Sequence, residues 1–284
     1  MHRWNKINLQ VTQAIQRIIE KKYSDPSEIK LDESLFAFEN GLKKILLSNR
    51  EIINNLRKVE MIRTEFLGNV SHELRTPIFA IQGFIETLMN GAIDDKSVNK
   101  IYLEKAFRHT ENLNNLLNDL IDISMIESGK MRMSFRYFSV DEFLKNVISE
   151  NKIETEKKNL QIVSDFNLPG VMIYGDQNRL KQVMNNLIQN AIKYTDSGKI
   201  EISAIEIGNK VSISVLDTGI GIPEEDSDRI FERFYRVDKN RSREAGGTGL
   251  GLAIVKHILD AHGEKIMVES ALGIGTKFTF SLRK

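Results

Sequence analysis

Residues 178–195 read NRLKQVMNNLIQNAIKYT, a helical stretch on which the fold of the C-terminal half turns. Asn186, Asn190 and Tyr194 are spaced i, i+4, i+8 and share one helix face, with Lys193 three residues beyond Asn190 on an adjoining face. Helix-borne amides can complete the oxygen shell of Mg2+, which keeps waters and takes other ligands from phosphates. Lys193 is placed to balance phosphate charge; the competing explanation is that these asparagines simply face solvent.

Three glycine clusters follow: DTGIGI at 217–222, GGTGLGL at 246–252 and GIGT at 273–276. Half of the 18 glycines lie after Leu216. Closely spaced glycines let backbone amides approach phosphate oxygens. The second cluster runs into LAIVKHIL, a helix whose N-terminus favours anions. None of the three matches a GxxxxGK[ST] loop or sits in a Rossmann-type unit. After Phe135, helical segments alternate with β-branched runs such as KIEISAIEI, NKVSISVLD, EKIMVES and TKFTFSL, an α+β sandwich pattern.

Upstream the pattern is helical. Leu113, Leu116, Leu117, Leu120 and Ile121 recur at helical spacing within a helix expected over Val98 to Ser128 and stopped by Gly129. Residues 60–128 therefore predict a helical hairpin, and its wide apolar stripe predicts dimerisation into a four-helix bundle. From Leu42 to Val70 one heptad row holds Ile45, Ile52, Val59 and Phe66, and another holds Leu42, Leu56 and Val70, interrupted by Asn49 and Arg63. A coiled coil and a single long amphipathic helix both fit this segment. A helix over 7–21, the turn-rich SDPSEIKLDES and a helix starting near Leu35 read either as a signal-relay hairpin or as a plain helical extension.

Composition narrows the classes. With 284 residues, 41% hydrophobic, 28% charged and 4 prolines, the chain is long enough for two or three folded domains. Lys and Arg number 40 against 39 Asp and Glu, so the basic field that nucleic-acid binding relies on is missing. Without cysteine, thiolate chemistry, disulfides and Cys-ligated zinc are excluded. The longest uncharged stretches, Gln182 to Ile192 and Ala245 to Val255, are too short to cross a bilayer, and no signal-peptide pattern opens the chain. A cytoplasmic location is the expectation, with membrane attachment only through a sensor segment outside this sequence.

FLGNVSHELRTPI (66–78), NLIQNAIKYT (186–195), DTGIGI, IFERFYR (230–236) and GGTGLGL occur in order, and together they resemble the H, N, G1, F and G2 boxes of two-component sensor histidine kinases. The resemblance covers roughly residues 60–284. It implies a dimerisation and phosphotransfer domain over 60–130 and a Bergerat-fold ATP-binding domain over 135–284, while residues 1–59, a helical relay segment or coiled coil, bear only a loose similarity to a HAMP-type relay. It further implies a homodimer, ATP and Mg2+ as cofactors, and the receiver domain of a response regulator as partner.

Residue by residue, the resemblance makes His72 the phosphoacceptor and Glu73 the carboxylate that orients and deprotonates it. Thr76 would place water for dephosphorylating the partner. A neutral imidazole is a competent nucleophile toward a γ-phosphoryl group, and a carboxylate on its second nitrogen stabilises the developing charge. Pro77 suits a helix kink beside this site. In the ATP domain Asn190 becomes the Mg2+ ligand, with Asn186, Lys193 and Tyr194 around phosphates and ribose. Asp217 would accept the adenine amino group, with Gly219 and Gly221 letting the chain pass the base. Residues 235–249 become a lid carrying Arg236, Arg241 and Arg243, followed by Gly247, Thr248, Gly249, Leu250 and Gly251. Phe231 and Phe234 match packing anchors. The common HGG after the last helix appears as His262, Gly263 and Glu264.

Two other function classes fit parts of the pattern. An ATP-driven clamp or hydrolase would use a water-activating Glu one turn before Asn190, where this chain has Asn186. A dimerisation module with a dead ATP site would have lost a motif residue, and none is lost.

Overall fold

The computed structural model describes residues 2–20, 25–237 and 247–284, and the chain divides into two compact units, Met1–Val70 and Ser71–Lys284. In the first, α1 (His2–Ile19) is joined to the start of α2 (Phe36–Thr87) through two single-turn 3-10 segments, Pro26–Glu28 and Glu33–Leu35. Each begins at an aspartate that accepts from the amide two residues on: Ser27 to Asp25 at 2.8 Å and Ser34 to Asp32 at 3.1 Å. The first helix thus starts earlier than the expected residue 7, and the second starts one residue after Leu35.

Ala14, Ile29, Leu42 and Leu46 form the buried core of this unit, with Ile18 and Leu31 packed against it. Glu39 accepts from the Leu31 amide at 2.8 Å and pairs with Lys43 at 2.5 Å, which pins the connector to α2. Farther along, Ile45, Ile52, Leu56 and Val59 are all more than half exposed, so these heptad positions stay uncovered within the chain.

In the second unit, residues 71–87 of α2 lead into a π-helical turn, Leu88–Ala92, where Gly91 adopts φ +108°. That left-handed conformation suits only glycine and ends the helix. The α2 helix runs unbroken through Pro77, so the interruption comes at Gly91, ten or more residues after the proline. Helix α3 (Asn99–Glu127) returns alongside, with Phe84 5.9 Å from the rings of both Tyr102 and His109. Leu88, Ala106, Leu116 and Ile123 are buried, whereas Phe79, Ile85, Leu103, Phe107, Leu117 and Ile121 are exposed. The hairpin leaves much of its apolar stripe uncovered within the chain.

The remaining residues form a helix-on-sheet sandwich. Strands β1 (Arg136–Ser139) and β3 (Met172–Gly175) make an antiparallel ribbon. Strands β2 (Gln161–Asp165), β4 (Lys199–Ile207), β5 (Lys210–Asp217), β6 (Met267–Ala271) and β7 (Gly275–Arg283) form a sheet in the order β2-β4-β5-β7-β6. Only the β2–β4 pair is parallel. Helices α4 (Val140–Lys157) and α5 (Gln177–Tyr194) pack on this sheet, and α6 (Gly251–Ala261) packs on α5.

Period-two alternation explains the core. Ile202 pairs with Val215 and Ala204 with Ile213, while Ile213 and Val215 pair in turn with Phe280 and Phe278, and all are buried. The same alternation carries Asp217, two residues past Val215, onto the inward face at the end of β5. After α6, His262 accepts from the Asp176 amide at 3.0 Å and Glu264 pairs with Lys210 at 2.7 Å. The departure from HGG therefore ties the end of α6 to the sheet. No helix among the described residues is long and apolar enough to cross a membrane.

Candidate functional site

Helix α5 starts at Asp176, whose side chain accepts from the amides of Asn178 and Arg179, both at 3.1 Å. Leu180, Val183, Met184, Leu187, Ile188 and Ala191 are buried and set the rotation of the helix. With that stripe inside, Asn186, Asn190, Lys193 and Tyr194 lie half-buried along its margin, where the chain at Gly219, Gly247 and Gly251 passes close to Tyr194, Lys193 and Asn186.

At the end of β5, Asp217 is 6% exposed. Its Oδ1 accepts from the Gly219 amide at 2.8 Å and the Thr276 amide at 3.3 Å, which leaves Oδ2 as the oxygen free to accept from a ligand. Burial pushes its carboxyl above the usual range, against the pull of those two amides. Glycine is required beside it: a Cβ on Gly219 would stand 2.4 Å from the Tyr194 carbonyl. A Cβ on Gly221, at φ +71°, would stand 2.1 Å from the Ala271 carbonyl. The Ile220 amide donates to the Tyr194 carbonyl at 3.2 Å, so the DTGIGI loop is fastened to the last turn of α5.

Arg236 donates to Glu73 at 2.9 Å and to the carbonyl of Gly247. Lys193 belongs to the same cluster. Burial first and the Arg236 guanidinium second lower its ammonium to about 8, against the opposing pull of Glu73. Burial also raises the Tyr194 phenol. Two cations and one carboxylate thus converge where the chain passes Gly247.

The loop into α6 is organised by Thr248, whose hydroxyl accepts from the Leu250 amide at 3.2 Å and donates to Asp119 on α3 at 2.8 Å. Burial raises the Asp119 carboxyl and neighbouring Asp122 adds to this, against the Thr248 hydrogen bond. Leu250 is fully buried, and the Asn186 amide donates to the Gly251 carbonyl at 3.2 Å, joining α5 to the start of α6. Gly249 takes φ +70°, and its carbonyl accepts from the Phe234 amide at 2.9 Å. Phe231 packs edge-on against Phe278 at 6.4 Å.

His72 is exposed on α2, one residue before Glu73, and the Thr76 hydroxyl donates back to the His72 carbonyl at 3.3 Å. Pro77 has no amide to offer the Glu73 carbonyl four residues earlier. Arg241 and Arg243, with residues 238–246 of the expected lid, lie outside the described residues. Asn190 makes no hydrogen bond to another described side chain, so its amide oxygen remains a hard donor for a cation. Among the described residues no three acidic or imidazole groups gather to hold a metal. A Mg2+ ion at Asn190 therefore fits only as one that draws its remaining ligands from phosphates and water.

Several contacts between distant parts of the chain have no local sequence signal. Asp122 takes hydrogen bonds from Arg179 at 2.8 Å and Gln182 at 2.6 Å, and Arg233 pairs with Glu127. These residues are separated by 57 or more positions, and only the folded chain brings them together.

Comparison with known proteins agrees with this geometry. Residues 62–129 match the family model of the His Kinase A (phospho-acceptor) domain, and residues 175–284 match that of the histidine kinase-, DNA gyrase B- and HSP90-like ATPases. The sensor histidine kinase WalK of Bacillus subtilis (strain 168) is 33% identical over 290 residues, covering 97% of this chain and 47% of WalK. The crystal structure of histidine kinase ThkA in complex with the response regulator protein TrrA aligns with a TM-score of 0.64 at 30% identity, over 83% of this chain and 66% of that one. Full-length ShkA in complex with AMPPNP aligns with a TM-score of 0.58 at 28% identity, over 78% of this chain and 46% of that one. The chain spans about half the length of the curated relatives it matches. With a phosphoacceptor hairpin and an ATPase sandwich matched in one chain and in this order, the protein belongs to the two-component sensor histidine kinases, whose catalytic core it carries.

Proposed function

We propose that this chain is an ATP-dependent protein-histidine kinase that phosphorylates His72 and passes the phosphoryl group to an aspartate on the receiver domain of a response regulator. The observation that carries this reading is the Arg236–Glu73 pair. It joins the neighbour of the candidate phosphoacceptor to the cation cluster of the ATP-binding domain, with Lys193 in the same field. Asp217 Oδ2 accepts from the adenine amino group, Lys193 and Arg236 hold phosphate charge, and Asn190 contributes an oxygen to Mg2+. The cation supplies neutralisation of charge on the transferring phosphoryl group. Glu73, once free of Arg236, orients the His72 imidazole and takes its proton.

Support for ATP comes from the matched ATPase family and from ShkA, whose structure contains AMPPNP. The ThkA–TrrA complex supports a response-regulator partner. The exposed part of the hairpin stripe supports a homodimer closing a four-helix bundle. Thr76 positions water when the phosphorylated regulator is dephosphorylated. The domains divide at 1–59, 60–130 and 135–284, and the core works in the cytoplasm.

Incubation with γ-labelled ATP and Mg2+ tests the reading. Acid-labile label that disappears in His72→Ala is the expected result. Release of free phosphate without protein label, unchanged in His72→Ala, would refute the kinase and favour a hydrolase or clamp.

A further inference from the structure

The last four carbonyls of an α-helix lack the intrahelical partners that the rest enjoy. At the end of α5, the carbonyl of Tyr194 is taken by the Ile220 amide at 3.2 Å. Those of Ile192 and Lys193 are taken by one side chain from a different helix: Lys158 Nζ stands 2.8 Å from the Ile192 carbonyl and 3.3 Å from that of Lys193. A cation at this place also meets the negative end of the helix dipole.

Lys158 reaches from a rigid base. Its own amide donates to the Thr155 carbonyl at 3.1 Å, the Asn159 amide to Glu156 at 3.0 Å, and the Leu160 amide to Thr155 at 2.9 Å. Asn159 takes φ +56°, and Leu160 is buried at 5% exposure immediately behind it. The turn after α4 is therefore closed by its own hydrogen bonds, and the lysine stem projects from a fixed point. The residue whose carbonyl it grips, Lys193, is the one whose side chain enters the cation cluster with Arg236 and Glu73.

We propose that Lys158, whose ammonium meets the candidate site at backbone carbonyls, is a positioning residue for its phosphate end: by clamping the Ile192 and Lys193 carbonyls it fixes the last turn of α5 and so aims the Lys193 ammonium. Adenine recognition does not depend on it, because Asp217 sits on β5 and takes its orientation from the Gly219 and Thr276 amides. This rests on the reading of Lys193 as a phosphate-binding cation.

The two ends of the nucleotide separate the possibilities. In the full chain, Lys158→Met should weaken Mg-ATP binding about five-fold by calorimetry, the order of one ordinary net hydrogen bond, because only the aim of Lys193 is lost and not its charge. Adenosine binding, followed by ligand-observed NMR, should stay unchanged. Lys158→Arg should restore ATP affinity, since a guanidinium can still donate to both carbonyls. In a Lys193→Met background, Lys158→Met should have no further effect on ATP. Equal weakening for ATP and adenosine would mean a general structural role and overturn the inference, as would unaltered ATP affinity or full additivity with Lys193→Met. Failure of the unsubstituted chain to bind ATP would overturn the nucleotide reading and the inference with it.

Discussion

Replacing Glu73 by glutamine should make ATP bind more tightly while autophosphorylation falls. In the structure Glu73 holds Arg236 at 2.9 Å, and the side chains are 28% and 10% exposed. A fully exposed ion pair contributes roughly 0–1 kcal/mol. A hydrogen bond to a charged group in a drier setting contributes roughly 1.5–3 kcal/mol. This pair lies between the two regimes, so its loss removes about 1–1.5 kcal/mol that ATP phosphate must otherwise overcome to recruit Arg236. At about 1.4 kcal/mol per factor of ten, the Kd of a non-hydrolysable Mg-ATP analogue should drop by about 5–10-fold. One effect opposes this: Glu73 helps keep Lys193 protonated, so the glutamine variant lowers that ammonium below its already depressed value of about 8. Calorimetry at pH 6.5 to 7 keeps Lys193 charged in both proteins. Added salt should shrink the difference only in part, because Arg236 is largely buried. Adenosine affinity should not change. Unaltered or weaker binding by Glu73→Gln under these conditions would refute the idea that the carboxylate competes with phosphate for Arg236.

Nucleotide affinity should decline as pH rises through about 8, where the free protein's Lys193 loses its proton. Bound phosphate raises that pKa again, so binding takes up protons above pH 8; calorimetry in buffers of different ionisation enthalpy reads the uptake, and Lys193→Arg should flatten the profile. Gly221→Ala combines φ +71° with a Cβ 2.1 Å from the Ala271 carbonyl, so the adenine end must distort. A cost of about 2–3 kcal/mol is expected, a fall in Tm of roughly 5–10 °C, with ATP binding lost; a Tm within 1 °C of the parent by calorimetry would contradict the geometry. Ile29→Ala empties a fully buried place in the small core of the first unit and should cost about 2–4 kcal/mol. Hydrogen exchange over residues 10–50 should then accelerate while residues 175–284 keep their protection.

Local pattern was enough for most elements. The period-two runs KIEISAIEI and TKFTFSL are β4 and most of β7, and the apolar spacing from Leu113 to Ile121 lies inside α3. These features read well because side-chain burial alternates with a fixed period that the one-dimensional sequence preserves. Helix ends were less legible. The first helix begins at His2, ahead of any apolar periodicity, and Pro77, a residue that suits a kink, lies inside a helix that continues to Thr87. A proline costs one hydrogen bond, and neighbouring turns can carry the helix across it. The ribbon of β1 and β3 had no signature at all, since its two four-residue strands pair across the intervening α4 and β2.

For the site, sequence by itself determined the cast: the glycine clusters, the asparagine face of α5, and the His72 segment with its Glu73. Tertiary structure decided who meets whom. It set Asp217 on the inward face with one oxygen occupied, brought Arg236 and Lys193 together around Glu73, joined Thr248 to Asp119, and sent Lys158 to the end of α5. The physical reason is that periodicity and backbone conformation are properties of neighbouring residues. Ion pairs, desolvation and carbonyl clamps depend on distances between residues far apart in the chain, and those distances exist only after the layers have packed.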